Sequence, residues 1–197
     1  MENFETSSSC SSNSSISIEQ EREENFLTTN KNIRFIREVN RSKFSIYLVQ
    51  DTKKGCYQAL KLFPWSEDSK QPSSFFLREI RFSKISHPNI ISITHHEMCC
   101  YREMKKVSYT LMEFAENGDL FDALQTKRIG LNEKLARSYF HQIVAGVKAI
   151  HSHGGAHLDL KLENILLDQD FVAKIADFDM GHFADNGRVL SRGTQNY

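Results

Sequence analysis

The sequence predicts an α+β fold in which a small, mostly antiparallel β lobe with one helix leads into the start of a mainly helical lobe. Three observations point there. Between Asn32 and Phe114, short apolar runs of strand character surround a single helical segment. Beyond Asp119 the period lengthens: Leu131 to Ile150 carries Leu135, Tyr139, Ile143, Val147 and Ile150 at steps of three and four, an amphipathic helix whose stripe needs cover. Ahead of both, residues 1–30 are rich in serine and set Glu19, Glu21, Glu23 and Glu24 against Arg22, the composition of a disordered acidic tail. The expected division is a tail at 1–30, a small lobe at 31–115 and part of a large lobe at 116–197.

The elements follow in order. Tyr57 to Phe63 is an alternating apolar strand that carries Ala59-Leu60-Lys61. A helix opens after Pro72 with Ser73 as its N-cap and runs through Phe76-Leu77-Arg78-Glu79-Ile80. Val107 to Phe114 is a second apolar run, ending in Met112-Glu113-Phe114-Ala115. Asp119 follows Gly118, a position suited to an N-cap. Glu163–Leu167 and Phe171–Ala176, joined by the turn Asp168-Gln169-Asp170, make a hairpin.

Composition excludes several classes. The 197 residues carry 25 basic and 25 acidic side chains, so no global field draws the chain to nucleic acid or to an anionic membrane. No segment approaches the ~18 consecutive apolar residues of a membrane span, and the N-terminus lacks a secretory pattern. Cys10, Cys56, Cys99 and Cys100 form no C-x-x-C pair, which reads as reduced thiols in an intracellular, cytoplasmic protein. His151-x-His153 and His95-His96 lack the further ligands that a metal site needs.

The chemistry concentrates in His157-Leu158-Asp159-Leu160-Lys161-Leu162-Glu163-Asn164 and in Asp177-Phe178, thirteen residues past the asparagine. Moving the terminal phosphate of ATP requires positioning and charge stabilisation around magnesium. Asn164 and Asp177 are oxygen donors placed to hold that metal. Asp159 would face an incoming hydroxyl, and Lys161 would offset charge on the transferring phosphate. Such residues are also common on any solvated turn, so the upstream context decides.

With that context, the segment resembles the catalytic and magnesium loops of the eukaryotic protein kinases, H-R-D-x-x-x-x-N and D-F-G. The resemblance implies that Lys61 grips the α- and β-phosphates and pairs with Glu79, and that His87-Pro88-Asn89-Ile90 is the turn after that helix. It also implies that Met112 is the gatekeeper and that backbone groups of Glu113 and Ala115 bond the adenine edge. Ile46 stands at the valine position of the phosphate-covering loop, and Asp119 meets the ribose, a role that competes evenly with its N-cap. His157 is then a structural histidine, and the cofactors are ATP and Mg2+. A lysine two residues after Asp159 resembles the serine/threonine branch. The protein substrate is not identified.

Three departures bear on activity. The phosphate-covering loop, Val39-Asn40-Arg41-Ser42-Lys43-Phe44-Ser45-Ile46, has no glycine; the family's glycines fall on Val39, Arg41 and Phe44, or on Ser45 with a one-residue deletion. Side chains there crowd the nucleotide, so weakened ATP binding is expected, with Arg41 and Lys43 partly compensating by charge. The magnesium loop reads Asp177-Phe178-Asp179, and the added carboxylate either binds the metal indirectly or stiffens the loop. Leu158 replaces an arginine that usually meets a phosphate on the activation segment, which argues against phosphate-triggered ordering. Ser191 and Thr194 are candidate modification sites, and Thr194 more closely resembles the threonine that supports the catalytic aspartate.

Tyr197 falls inside what would be the activation segment, before the later helices of the large lobe. The face of the Leu131–Ile150 helix is therefore expected to be uncovered, so that the chain is a fragment of a longer product or a partner covers that face. The expected function is ATP-dependent phosphoryl transfer to serine or threonine of protein substrates. The alternative is a catalytically weak pseudokinase or interaction module.

Overall fold

The strand-period runs assemble into one five-stranded antiparallel sheet in the order β1-β2-β3-β5-β4: β1 (Ile33–Arg41), β2 (Ser45–Asp51), β3 (Tyr57–Pro64), β4 (Ile93–Arg102) and β5 (Lys105–Glu113). The structure is a computed structural model that describes residues 32–41, 43–65, 71–102, 105–126 and 132–184. The acidic leader, Ser191 and Thr194 lie outside the described residues.

Side-chain alternation divides the sheet's two faces. Tyr47, Val49, Leu60, Leu62, Tyr109 and Leu111 form one apolar cluster. The intervening residues Ile46, Ala59 and Met112 belong to a second, with Ile91, Ala115, Leu166 and Ala176. Because both faces of β3 are covered, Ala59 to Phe63 are buried without interruption, Lys61 included. Register sets the chemistry on the second face: Ile46 pairs with Lys61, and Lys61 with Thr110, so the three lie in one row across β2, β3 and β5.

Helix α1 (Ser74–Glu79) starts where the sequence places it, with the Ser73 hydroxyl accepting from Phe75 N at 3.3 Å. It tightens at once into a 3-10 turn over Ile80–Lys84. Phe76 is fully buried against Phe63 of β3, with ring centroids 5.5 Å apart. Glu79 lies three residues on, on the same face of the helix, and thus points at the same strand.

The large lobe begins with α2 (Leu120–Gln125) and α3 (Glu133–Ser152). The periodic helix expected over Leu131–Ile150 is shifted by two residues, because the Asn132 side chain accepts from Leu135 N and caps it. The stripe expected to lack cover is covered in part by the chain itself. Tyr139 and Ile150 are buried, and Leu135, Ile143 and Val147 are partly buried, against Ile90, Ile165, Leu167, Ala173, Ile175 and Phe178. Each fully buried side chain of this kind contributes roughly 1.5–3 kcal/mol. The large apolar side chains that stay exposed on α3 are Phe140 and Val144.

Two short ribbons complete the frame, β6 (Gly155–Ala156) with β9 (His182–Phe183) and β7 (Ile165–Leu167) with β8 (Ala173–Ile175). The Asp168 carboxylate closes the β7–β8 turn by accepting from Asp170 N and Val172 N. The segment after α1 is zipped to β8: Ile91 N donates to Ile175 O, Ile175 N to Asn89 O, and the Asn89 amide to Ala173 O. This join holds the small lobe over the β7–β8 hairpin. Among the described residues no helix is long and apolar enough to cross a membrane.

Candidate active site

Strand β3 delivers Lys61 to the floor of a cavity between the lobes, where it is 4% exposed. Its Nζ donates to Glu79 Oε2 at 2.5 Å and to Asp177 Oδ1 at 2.7 Å, although 18 and 116 residues separate the partners. Burial works against the ammonium, but the charges of Glu79 and Asp177 outweigh it and hold Lys61 above the ordinary lysine range. Burial raises Glu79, against the pull of Lys61. Asp177, whose side chain is 40% exposed, is held below the usual carboxylate range because the Lys61 charge overcomes its partial burial. Thr110 donates its hydroxyl to Glu79 Oε1 at 3.2 Å and so fixes the second carboxylate oxygen.

The catalytic-loop candidates form a second polar group. Lys161 Nζ lies 3.0 Å from Asp159 Oδ2. Burial lowers the lysine and the Asp159 hydrogen bond and charge more than restore it, so Lys161 stays protonated. The Asn164 amide donates to Asp159 O at 2.7 Å and to Asp159 Oδ2 at 3.2 Å, which turns the amide nitrogen toward Asp159 and keeps the carbonyl oxygen as an acceptor. His157 supports this group from below. Its Nδ1 accepts from Asp159 N, so the proton is on Nε2, which bonds Ala176 O at 2.9 Å. Burial depresses its pKa and keeps the ring neutral.

Two left-handed residues shape the loops. Leu158 at φ +63° is a bulky side chain in a region that costs it on the order of 1 kcal/mol or more, held there by the flanking His157–Asp159 bond. Asp177 is also at φ +63°. It is followed by Phe178, which is 1% exposed, stacks on Phe82 of the 3-10 turn at 4.5 Å and lies 5.1 Å from His157. The ring pins the Asp177 loop to the end of α1.

The cavity measures about 300 Å3. One end is apolar, walled by Ile46, Ala59, Met112, Ala115 and Leu166. Along its rim the Glu113 amide donates to Ser92 O and the Glu113 carboxylate meets Lys174 Nζ at 3.0 Å, which fastens the connection between the lobes. Asp119 is the N-cap of α2, accepting from Asp122 N at 2.7 Å, and it also lines the cavity, so the cap does not remove it from the site.

The other end is roofed by the glycine-free loop. Lys43 and Phe44 lie between β1 and β2, which pair at Arg41–Ser45. Phe44 packs on Phe63 at 4.7 Å and on Phe75 at 5.6 Å, and its ring centroid is 5.2 Å from Lys61 Nζ. Lys43, expected to lend its charge to the nucleotide, bonds Asp179 Oδ2 at 2.7 Å. That carboxylate is engaged by protein.

The structure thus brings Lys61, Glu79, Asn164, Asp177, Asp179 and the apolar wall into one cavity, with Asp159 and Lys161 joined to it through Asn164. Sequence reasoning missed Thr110, Phe44's inward packing and Arg78, whose Nε donates to Asp179 O at 2.5 Å. The strand period of β5 could have placed Thr110 on the Lys61 face; the other two depend on contacts between distant segments.

The chain matches the model of the protein kinase domain over residues 42–197. It is 42% identical over 115 residues to the mouse (Mus musculus) serine/threonine-protein kinase SIK1, covering 58% of this chain and 14% of the relative. It is 43% identical over 114 residues to the rat (Rattus norvegicus) NUAK family SNF1-like kinase 2, covering 57% and 17%. With CBL-interacting protein kinase 8 of rice (Oryza sativa subsp. japonica) it shares 37% identity over 157 residues, covering 77% and 34%. The matched part is about a third or less of each of these relatives. By the match of 156 of its residues, 42 to 197, the chain belongs to the protein kinase family.

Proposed function

We propose that the chain transfers the γ-phosphoryl group of ATP to serine or threonine hydroxyls of protein substrates. One observation carries the reading: a single buried lysine, Lys61, joins Glu79 of α1 to Asp177, in the cavity that also holds Asn164. Family membership and relatives named as serine/threonine-protein kinases support it.

The residues present fit the nucleotide and its metal. The wall of Ile46, Ala59, Met112 and Leu166 suits a flat apolar base, and Glu113 and Ala115 offer backbone groups at its edge. Asp119 is the candidate for the ribose. Asn164 and Asp177 supply the hard oxygen donors that Mg2+ prefers. When bound, the metal neutralises phosphate charge. Lys61, kept charged by its two carboxylates, would orient the α- and β-phosphates. Asp159, anchored by Asn164 and His157, would accept a hydrogen bond from the substrate hydroxyl and so aim it. Lys161, beside it, would balance charge on the moving group. The same reading takes residues 31–115 and 116–197 as the two lobes that enclose the cavity, in a reducing, intracellular setting to which the exposed free thiol of Cys56 is suited.

A second reading, a weak nucleotide binder that serves as an interaction module, is favoured by the Phe44 side chain under the phosphate loop. The test is transfer of label from ATP to a serine/threonine peptide mixture by the chain and by Asp159→Asn. Label on serine or threonine that falls at least ~100-fold in the variant supports phosphotransfer. Label that survives the substitution, or none from a folded sample, favours the second reading.

A further inference from the structure

We infer that Lys43 and Asp179 are positioning residues that form a clasp, holding the β1–β2 hairpin down on the Asp177 loop and on α1 in the absence of any ligand. The two stand 136 residues apart in sequence, and Lys43 Nζ meets Asp179 Oδ2 at 2.7 Å. Asp179 is 3% exposed, so a lifted hairpin would leave a buried carboxylate without this cation. The same residue is tied to α1, because Arg78 Nε donates to its carbonyl oxygen. Phe75 completes the join: its ring carries Lys43 Nζ at 3.4 Å and the Arg78 guanidinium at 4.6 Å.

Three separate segments therefore meet on Asp179 and Phe75. One is the hairpin tip; the second is α1, which presents Glu79; the third is the loop that presents Asp177 two residues earlier. In a loop with glycine at position 179 there would be no carboxylate for the hairpin to hold. Here the charge pair takes over part of the alignment of Glu79, Lys61 and Asp177, and nucleotide would enter or leave the phosphate end when the pair opens. That last consequence rests on the phosphotransfer reading; the clasp itself does not.

The test is hydrogen exchange on the ligand-free full chain, comparing wild type with Lys43→Met, Asp179→Asn and the double variant. Lys43→Met changes a half-exposed side chain, so it keeps the test decisive if Asp179→Asn folds poorly. The clasp requires Lys43→Met to speed exchange at residues 177–181 as well as in its own hairpin, by about threefold to tenfold, the range of a partly exposed charge-assisted hydrogen bond. It also requires the double variant to exchange no faster than the faster single one, and Lys43→Arg to restore protection. Raised salt should speed exchange in wild type and leave Lys43→Met unchanged. An effect confined to the hairpin, or additive effects of the two changes, would overturn the inference. ATP titration of the same samples separates the two proposals: absence of nucleotide binding would defeat the phosphotransfer reading and leave the exchange result to decide the clasp.

Discussion

Lys61 Nζ lies 2.5 Å from Glu79 Oε2, and both residues are almost fully buried, 4% and 2% exposed. A buried pair of this kind is weak evidence for stability, since desolvation offsets the attraction, yet removing one partner leaves the other stranded. The pair is better understood as the fixed point that sets α1 against the sheet and gives Asp177 a cation to face.

Lys61→Met should abolish phosphotransfer and also destabilise the chain by about 3 kcal/mol, because Glu79 loses its cation. Lys61→Met with Glu79→Leu should recover much of that stability and none of the activity. Urea unfolding of the three proteins checks this; equal stability of Lys61→Met and wild type would contradict the coupling.

Phe44→Gly should tighten nucleotide binding and lower stability together. It removes the ring that roofs the phosphate end and restores a backbone able to approach phosphate. It also deletes packing on Phe63 and Phe75, a loss of about 2 kcal/mol for a half-buried ring. Calorimetric titration with ATP and a melting curve read the two effects separately; weaker binding would mean that the ring supports the nucleotide.

Stability should fall as pH drops below about 6.5. The unfolded chain protonates His157 near the ordinary histidine value, whereas burial lowers that value in the fold. Between the two the unfolded state binds more protons, so stability rises with pH there and is level above. Asp177, lowered in the fold, adds a second loss only in strong acid, as pH falls through its depressed value. His157→Asn should flatten the first slope in urea titrations between pH 5.5 and about 7.5; an unchanged slope would assign it to other groups.

Gly146→Ala should destabilise the fold despite alanine's higher helix propensity. A Cβ there would lie 2.7 Å from Asn89 O and 2.8 Å from Ile175 Cδ1, where α3 meets the segment that zips to β8. Overpacking of about 1–3 kcal/mol exceeds the gain of ~1 kcal/mol from replacing glycine in a helix. A drop in melting temperature is expected, and a rise would show that the contact yields.

Much of the site is legible in the chain because it depends on local periods. Strand alternation places Lys61 on the face opposite Leu60, the Ser73 cap and helical spacing aim Glu79 at it, and the turn at Asp168 brings Ala176 opposite Asn164, with Asp177 the next residue. The start of α3 is misread by two residues because Leu131 continues the apolar pattern, while the cap that decides the boundary is the Asn132 side chain. Phe44, Thr110 and the Lys43–Asp179 pair escape sequence reasoning for a different reason. A phenylalanine in a turn or a lysine at a hairpin tip is ordinarily solvated, and only the approach of α1 and the Asp177 loop gives each a partner.

The cover of α3 teaches the same point. Tyr139 and Ile150 need burial by their spacing, but the sequence does not say that β7 and β8, downstream of the helix, supply it. In these two three-residue strands Ile165, Leu167, Ala173 and Ile175 are buried while Leu166 and Lys174 are half-buried, an alternation too short to announce what it packs against.

The most direct measurement is thermal shift of the 197-residue chain with ATP, with Mg2+, and with both, in wild type and Asp177→Asn. A ligand that binds only the folded state raises the melting temperature in proportion to its occupancy. The arrangement of Lys61, Asn164 and Asp177 predicts stabilisation by ATP and Mg2+ together that exceeds either alone and is reduced in Asp177→Asn. A folded wild type that shows no shift with both ligands would contradict it.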